Sequence, residues 1–250
     1  VGESTRIPWT DHTFNIAWGC TPVSEGCQNC YAKTQAERFG FDVWGPDKPR
    51  RTFGQKHWRE PLKWNAAAKA EGRRHRVFCS SMCDIFESHP TIYDELGKLW
   101  AVIRATPWLD WQLLTKRPDW MKIRLPLGWG DGWPNVWLGT TIESSRYAHR
   151  ANYLRRIPAV VRFISCEPAL GSLYAVDLKG IDWVIYGGES GPQFRPHQLE
   201  WARNLRRWCQ ASGAAFFYKQ GNGLKAGTDP MLDGEVIQEW PVPRLVEVTT

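Results

Sequence analysis

The sequence predicts an α/β protein: a partial or nearly closed (β/α) TIM-like barrel of about six to seven parallel strands. Two observations predict it. Short apolar runs alternate with helix-length stretches about seven times along the 250 residues, and such alternation builds a parallel sheet. Most of the runs are apolar on both faces, as strands covered on both sides are. The number of repeats favours a barrel; an open doubly wound sheet is the alternative. No linker divides the chain, so one domain over residues 1–250 is expected.

Period-two alternation over Thr13-Phe14-Asn15-Ile16-Ala17-Trp18 reads as a short first strand that ends at a cysteine-rich loop. Residues 31–40 suit a helix stopped by Gly40. Residues 41–58 carry Gly45, Pro46, Pro49, Gly54 and five basic residues, counting His57. They read as an irregular basic insertion, either a solvated loop or a flap that touches phosphate. A helix over 60–71 precedes a buried strand over 76–84, R-V-F-C-S-S-M-C-D. An amphipathic helix over 91–105 leads to the strand W-Q-L-L-T-K-R-P at 111–118, stopped by Pro118. Strand 136–143, helix 144–156, strands 159–168 and 182–191, helix 197–212 and strand 214–221 follow. The remainder, about 222–250, is rich in Pro and Gly and reads as a tail wrapping the surface.

No apolar run approaches the roughly 20 residues of a membrane span, and the first residues lack the apolar core of a signal peptide. A cytoplasmic protein with no membrane contact is expected. The net charge of +6 and the sixteen tryptophans admit a polyanionic partner whose bases stack on indoles.

Three of the seven cysteines, Cys20, Cys27 and Cys30, lie in W-G-C-T-P-V-S-E-G-C-Q-N-C-Y with spacing C-x6-C-x2-C. Pro22, Gly26 and Asn29 make this a loop, and a loop can turn three sulfurs towards one centre. Glu25 and Gln28 are poor fourth ligands for a soft metal, and no histidine is near. Three thiolates with one open position suit a zinc site or an iron–sulfur cluster with one iron free to bind a small molecule. Three unrelated thiols are the alternative. The six histidines form no H-x-x-x-H or C-x-x-H pair, which weakens the zinc reading.

In a barrel the active site sits at the C-terminal strand ends, and those ends are polar throughout. They deliver Ser80, Ser81, Cys83 and Asp84; Thr115, Lys116 and Arg117; Thr140, Thr141 and Glu143; Ser165, Cys166 and Glu167; Gly187, Gly188, Glu189 and Ser190; and Lys219 and Gln220. Asp84, Glu143, Glu167 and Glu189 are expected to converge with Lys116 and Lys219 on one mouth. Gly187-Gly188 would let backbone approach a ligand closely. No P-loop and no G-x-G-x-x-G follows a strand, which leaves no argument for a nucleoside triphosphate or NAD.

These segments together resemble the radical S-adenosylmethionine superfamily and, more closely, a phage-associated three-cysteine radical-SAM-like family. The resemblance is carried by W-T-D at 9–11, the cysteine loop at 19–32, L-T-K-R-P at 114–118, N-V-W-L-G-T-T-I-E at 135–143, R-F-I-S-C-E-P-A-L-G at 162–171, D-W-V-I-Y-G-G-E-S-G-P at 182–192 and F-F-Y-K-Q-G at 216–221. It implies a [4Fe-4S] cluster on Cys20, Cys27 and Cys30, S-adenosyl-L-methionine on its open iron, an external one-electron reductant, and a 5′-deoxyadenosyl radical that abstracts a substrate hydrogen. It further implies that Ser80 and Ser81 meet the methionyl amino group and that Thr141 and Glu143 meet the ribose hydroxyls. Tyr31, Thr115, Lys116, Glu167, Gly187 and Gly188 would complete the cofactor's surroundings. Cys166 or Cys83 would return a hydrogen atom to a product radical, and Glu189 and Lys219 would serve the chemistry. The first gap of six residues departs from the usual C-x3-C-x2-C, Asn29 stands where an aromatic usually precedes the third cysteine, and S-S-M-C-D replaces the usual G-G-E-P.

Three functional classes follow: a radical enzyme on a nucleic-acid base or nucleoside, flipped out if in duplex; one on a small metabolite or peptide; and a zinc- or cluster-bearing nucleic-acid-binding protein without turnover.

Overall fold

The computed structural model describes residues 5–244. Seven strands form one sheet: β1 (His12–Phe14), β2 (His75–Cys79), β3 (Leu109–Thr115), β4 (Val136–Thr141), β5 (Val161–Cys166), β6 (Trp183–Gly187) and β7 (Ala215–Gln220). They lie in sequence order, and each pairs in parallel with the next. The helices are α1 (Tyr31–Arg38), α2 (Gln55–Trp58), α3 (Glu60–Glu71), α4 (Pro90–Ala105), α5 (Pro118–Arg124), α6 (His149–Arg155) and α7 (Leu199–Ser212). The sheet curls into a half-barrel. Trp9 contacts Phe78 of β2 at 4.6 Å and Trp183 of β6 at 6.2 Å, although three strands, β3 to β5, lie between them.

The strands are apolar on both faces, as expected. Phe78, Trp137, Phe163, Trp183, Ile185 and Phe217 pack with Trp9 inside the curl. The alternate residues, among them Val77, Leu113, Leu138, Ile164, Cys166, Val184 and Phe216, form the outer core with Leu96 and Leu99 of α4 and Leu205 of α7. The ring of Phe163 fills the space a side chain at Gly139 would need. The tail closes the structure instead of merely wrapping it. Ile237 is buried, and Trp240 packs against Trp183 at 5.1 Å with tilted rings and edge-on against Phe217 at 5.3 Å. Residues 245–250 of the expected tail lie outside the described residues.

Four details differ from the expectation. β1 stops at Phe14, because the Asn15 carboxamide accepts from the Met82 backbone N–H at 2.7 Å and draws the following chain away from the sheet. β2 stops at Cys79, and 80–84 turn across the mouth. Pro118 starts helix α5 where it was expected only to stop β3: in the first turn its missing N–H costs nothing. The 41–58 insertion is neither a free loop nor a flap. Arg51 pairs with Trp18 and Trp44 with Cys20, so the insertion lies along the cysteine loop. Gly19 permits this approach with φ +117°, where a Cβ would meet Arg50 Cδ at 2.8 Å.

Nine of the sixteen tryptophans are buried, and Trp120 alone is among the exposed large hydrophobic side chains of the described residues. Most of the indoles are therefore core, not stacking surface. Among the described residues no helix is long and apolar enough to cross a membrane.

Candidate functional site

A cavity of about 530 Å³ opens at the C-terminal ends of the strands. Cys20, Cys27 and Cys30 line it, and all three are free, half-buried thiols. Around them stand Tyr31, Ser80, Ser81, Cys83, Asp84, Thr115, Lys116, Thr141, Glu167, Gly188, Glu189 and Lys219. The polar strand ends do converge.

What they converge on, for the most part, is the cysteine loop. Three cation–carboxylate groups hold it, two of them buried and the third with its arginine partly exposed. At its start, Arg117 donates to Asp84 Oδ2 at 3.0 Å and to the Thr21 carbonyl at 2.5 Å, with Nη1 3.7 Å from Cys20 Sγ. Glu87 accepts from Thr21 N at 2.8 Å and is paired with Arg50, also at 2.8 Å. The fully buried Arg50 guanidinium also donates to four backbone carbonyls of the basic insertion and to Thr21 Oγ1. It is a strut, not a phosphate contact.

In mid-loop, Ser24 Oγ donates to Glu143 Oε1 at 2.5 Å, and Glu143 Oε2 accepts from Arg150 at 2.7 Å. Gly26 sits against the same carboxylate, and a Cβ there would lie 2.5 Å from Oε1. Near the end of the loop, Asn29 Nδ2 donates to Glu189 Oε2 at 3.1 Å, and Glu189 is bound by Arg195 at 2.5 Å.

These contacts correct several assignments. Glu143 is fully buried behind the loop and does not line the cavity, so it is a loop anchor and not a ribose ligand. Glu189 borders the cavity but is held by Arg195 and Asn29. Gly187 does not line the cavity; a Cβ there would lie 2.6 Å from Glu167 Oε1, and one at Gly188 would strike the Gly221–Asn222 backbone. The missing side chains thus make room for protein at both glycines, and only Gly188 lines the cavity. Cys166 is fully buried in the outer core, one residue out of phase with Ser165 and Glu167, which do line the cavity. Cys83 does line it.

The other predicted contacts differ in how free they are. Thr115 Oγ1 donates to Asp84 at 2.6 Å and caps the turn to Arg117. Ser81 exchanges hydrogen bonds with the Asn15 carboxamide, and Tyr31 donates to the Ser81 carbonyl at 3.0 Å from an exposed position. Ser80 packs 3.2 Å from Cys79 Sγ. Lys219 Nζ donates to Glu167 Oε1 at 2.6 Å inside the cavity. Sequence reasoning singled out the strand-end acids but missed Arg150 and Arg195, which pair with Glu143 and Glu189, and missed the Arg50–Glu87 pair. Those partners stand on other elements, and only the fold brings them to the loop.

Burial, with further contributions from Asp84 and Glu87, pushes the Cys20 thiol up to about 12 against the opposing pull of Arg117. Burial also raises Cys30, with Lys116 acting in the opposite direction. Both shifts favour the protonated thiols of Cys20 and Cys30, whose protons a metal would have to displace. Among the described residues no group of three or more His, Cys, Asp or Glu is already gathered as a metal site. The donor set nevertheless fits a soft metal: three sulfurs line one cavity, with no imidazole beside them.

Comparison with curated proteins and with solved structures finds no match. A family model described as "Protein of unknown function (DUF5131)" matches residues 4–241. That span takes in all seven strands, the cysteine loop and each of its anchors, and the chain therefore belongs to the DUF5131 family.

Proposed function

We propose that the protein is a radical S-adenosylmethionine enzyme acting on a nucleic-acid base or nucleoside. One observation carries the reading: the three cysteines line the mouth of a parallel half-barrel on a loop pinned at three points by cation–carboxylate groups whose carboxylates are buried. Loop backbone is costly to order, and this degree of fixation suits thiolates that share one group. Cys20, Cys27 and Cys30 would hold a [4Fe-4S] cluster, which when bound supplies an electron to the sulfonium of S-adenosylmethionine.

The chain's own part is binding, orientation and exclusion of water. Arg117 and Lys116 place positive charge beside Cys20 and Cys30, which offsets the negative charge of thiolates. Thr141, Ser165, Glu167 and Lys219 offer polar contacts across the cavity from the thiols. The +6 charge and the aromatic side chains Trp9 and Phe78 in the cavity wall support a base as substrate over a small acid. A base in duplex DNA would have to leave the stack to enter.

Anaerobic reconstitution tests the reading. The expected result is a brown protein with about four irons and four sulfides per chain, which cleaves S-adenosylmethionine on reduction. Cys27→Ala should abolish cluster uptake. A colourless protein holding about one zinc per chain and leaving S-adenosylmethionine intact would overturn it. Salt-dependent gel shifts, with a steep slope expected for DNA, separate a nucleic-acid substrate from a small metabolite.

A further inference from the structure

Several arginines on the surface are neutralised where they stand. On α7, Arg203 pairs with Asp233 and Arg207 with Glu200, and at the start of β2 Arg73 and Arg74 pair with Asp11 and Asp110. One helical ridge differs. The backbone stays helical from α2 into α3 through Arg59, at φ −88° and ψ −13°. At 3.6 residues per turn and 1.5 Å per residue, Lys56, Arg59 and Lys63 fall within about 60° of arc and along about 10 Å of axis. All three are exposed, and none has an ion pair or a side-chain hydrogen bond among the described residues. The one acid beside them, Glu60, is turned to His57 Nδ1 at 3.3 Å. The ridge begins at the mouth. His57 stacks on Phe14 at 4.5 Å, and its Nε2 lies 2.8 Å from the carbonyl of Asn15, which lines the cavity of the three thiols. Arg50 of the same insertion is buried among partners, whereas these three cations face water.

We propose that the ridge Lys56–Arg59–Lys63 is the docking surface for a nucleic-acid backbone, which lies along α2 and α3 and presents a nucleotide to the cavity past Asn15. Unpaired cations in a row complement a row of phosphates. A line about 10 Å long meets about three successive steps of one strand, at about 3.4 Å each. A single small anion would use only one end of it. Ammonium and guanidinium groups hold phosphate without reading the base. The ridge therefore positions the polymer, and the choice of nucleotide is left to the cavity. This inference rests on the reading of the protein as an enzyme on a nucleic-acid base, and it adds where the polymer lies.

The test is fluorescence anisotropy of the full chain with a labelled DNA duplex and a labelled single strand, across a series of salt concentrations. The triple variant Lys56→Gln, Arg59→Gln, Lys63→Gln should flatten the slope of log affinity against log salt by about two to three units, at about 0.9 per phosphate for duplex and 0.7 for single strand. A control triple, Lys122→Gln, Arg156→Gln, Lys179→Gln, removes the same charge from exposed positions on α5, after α6 and before β6. It should leave the slope within about half a unit of the parent. Glutamine keeps good helix propensity, and each single ridge variant, expected to remove about one phosphate contact from the slope, carries the test if the triple folds poorly. Vesicles of phosphatidylserine and phosphatidylcholine serve as the competing polyanion. An unchanged slope in the ridge variants, an equal loss in the control triple, or a parent chain that binds vesicles but no DNA would overturn the proposal. The measurement needs no iron. A chain that takes up its cluster and cleaves S-adenosylmethionine while its DNA binding ignores the ridge fails only this inference. A chain that binds DNA through the ridge but never takes a cluster fails only the radical-enzyme reading.

Discussion

Arg117 holds Cys20: its Nη1 lies 3.7 Å from the cysteine sulfur, and its Nη2 donates to the next residue's carbonyl at 2.5 Å. The same guanidinium is paired with Asp84, and both side chains are at most one-tenth exposed. One planar fork thus ties the first thiol to the turn after β2 and places a fixed positive charge where a thiolate would form. A lysine could supply the charge but not the fork.

Arg117→Met should therefore be strongly destabilising, because it leaves Asp84 buried without its cation. Breaking such a pair from one side costs about 3–5 kcal/mol. Arg117→Lys should recover part of that stability but hold Thr21 less well. Thermal unfolding reads the first effect, and zinc or cobalt titration of the thiols reads the second. An Arg117→Met variant with unchanged unfolding temperature and unchanged metal affinity would sink the clamp.

Gly26→Ala tests the middle anchor. The new methyl would lie 2.5 Å from Glu143 Oε1, and Glu143 cannot retreat because Arg150 holds it from behind at 2.7 Å. The loop must move instead, and the Ser24–Glu143 hydrogen bond must lengthen. A loss of about 1–3 kcal/mol is expected, the usual cost of overpacking a fixed site. Cys27, the next residue, should alkylate faster with iodoacetamide. An unchanged alkylation rate would show that the loop is not pinned at this point.

The sequence made the sheet legible, because parallel strands covered on both faces leave uninterrupted apolar runs. Its order and its seven-fold repeat follow from that pattern. The cysteine loop was legible from spacing alone. What was not legible is the direction in which each strand-end side chain points. Ser165, Cys166 and Glu167 are consecutive, but only the register of β5 decides that the first and third enter the cavity. The roles of the acids were hidden for a related reason. Glu143 and Glu189 look alike in sequence to Glu167, but arginines seven and six residues further on turn the first two into struts. The 41–58 insertion looked solvated because its basic residues are dense, yet Arg50 is buried by partners that only the fold supplies.

Glu189→Gln should carry a pH signature. Burial alone would raise this carboxyl, but hydrogen bonds from Arg195 and Asn29 and the charge of Arg195 outweigh it, and its pKa falls below the usual 4.5. A lowered folded-state pKa means the anchor contributes stability above the unfolded value and loses it as pH falls through the folded one. The unfolding temperature of Glu189→Gln should therefore lie below that of the parent at neutral pH. The gap should close as the medium is acidified below the ordinary glutamate range. A gap that stays constant down to strongly acidic pH would mean the carboxylate's charge is not what matters.

Cys166→Ala and Cys83→Ala compare two buried cysteines, of which only Cys83 lines the cavity. Cys166 is fully buried on the outer face of β5, and burial with Glu143 and Glu167 nearby holds its pKa well above the ordinary thiol value. It can neither ionise readily nor reach a ligand in the cavity. Its removal should cost about 1–2 kcal/mol through the small void left behind, while metal uptake and turnover stay at parental levels. Cys166→Ser should be worse than Cys166→Ala, since a buried hydroxyl needs a partner the sulfur did not. Cys83 borders the cavity, so Cys83→Ala is the substitution expected to change the product when a hydrogen atom must be returned. Parallel product analysis of the two variants decides the matter. If Cys166→Ala alters the product and Cys83→Ala does not, the outward orientation of Cys166 is wrong for the working state of the protein.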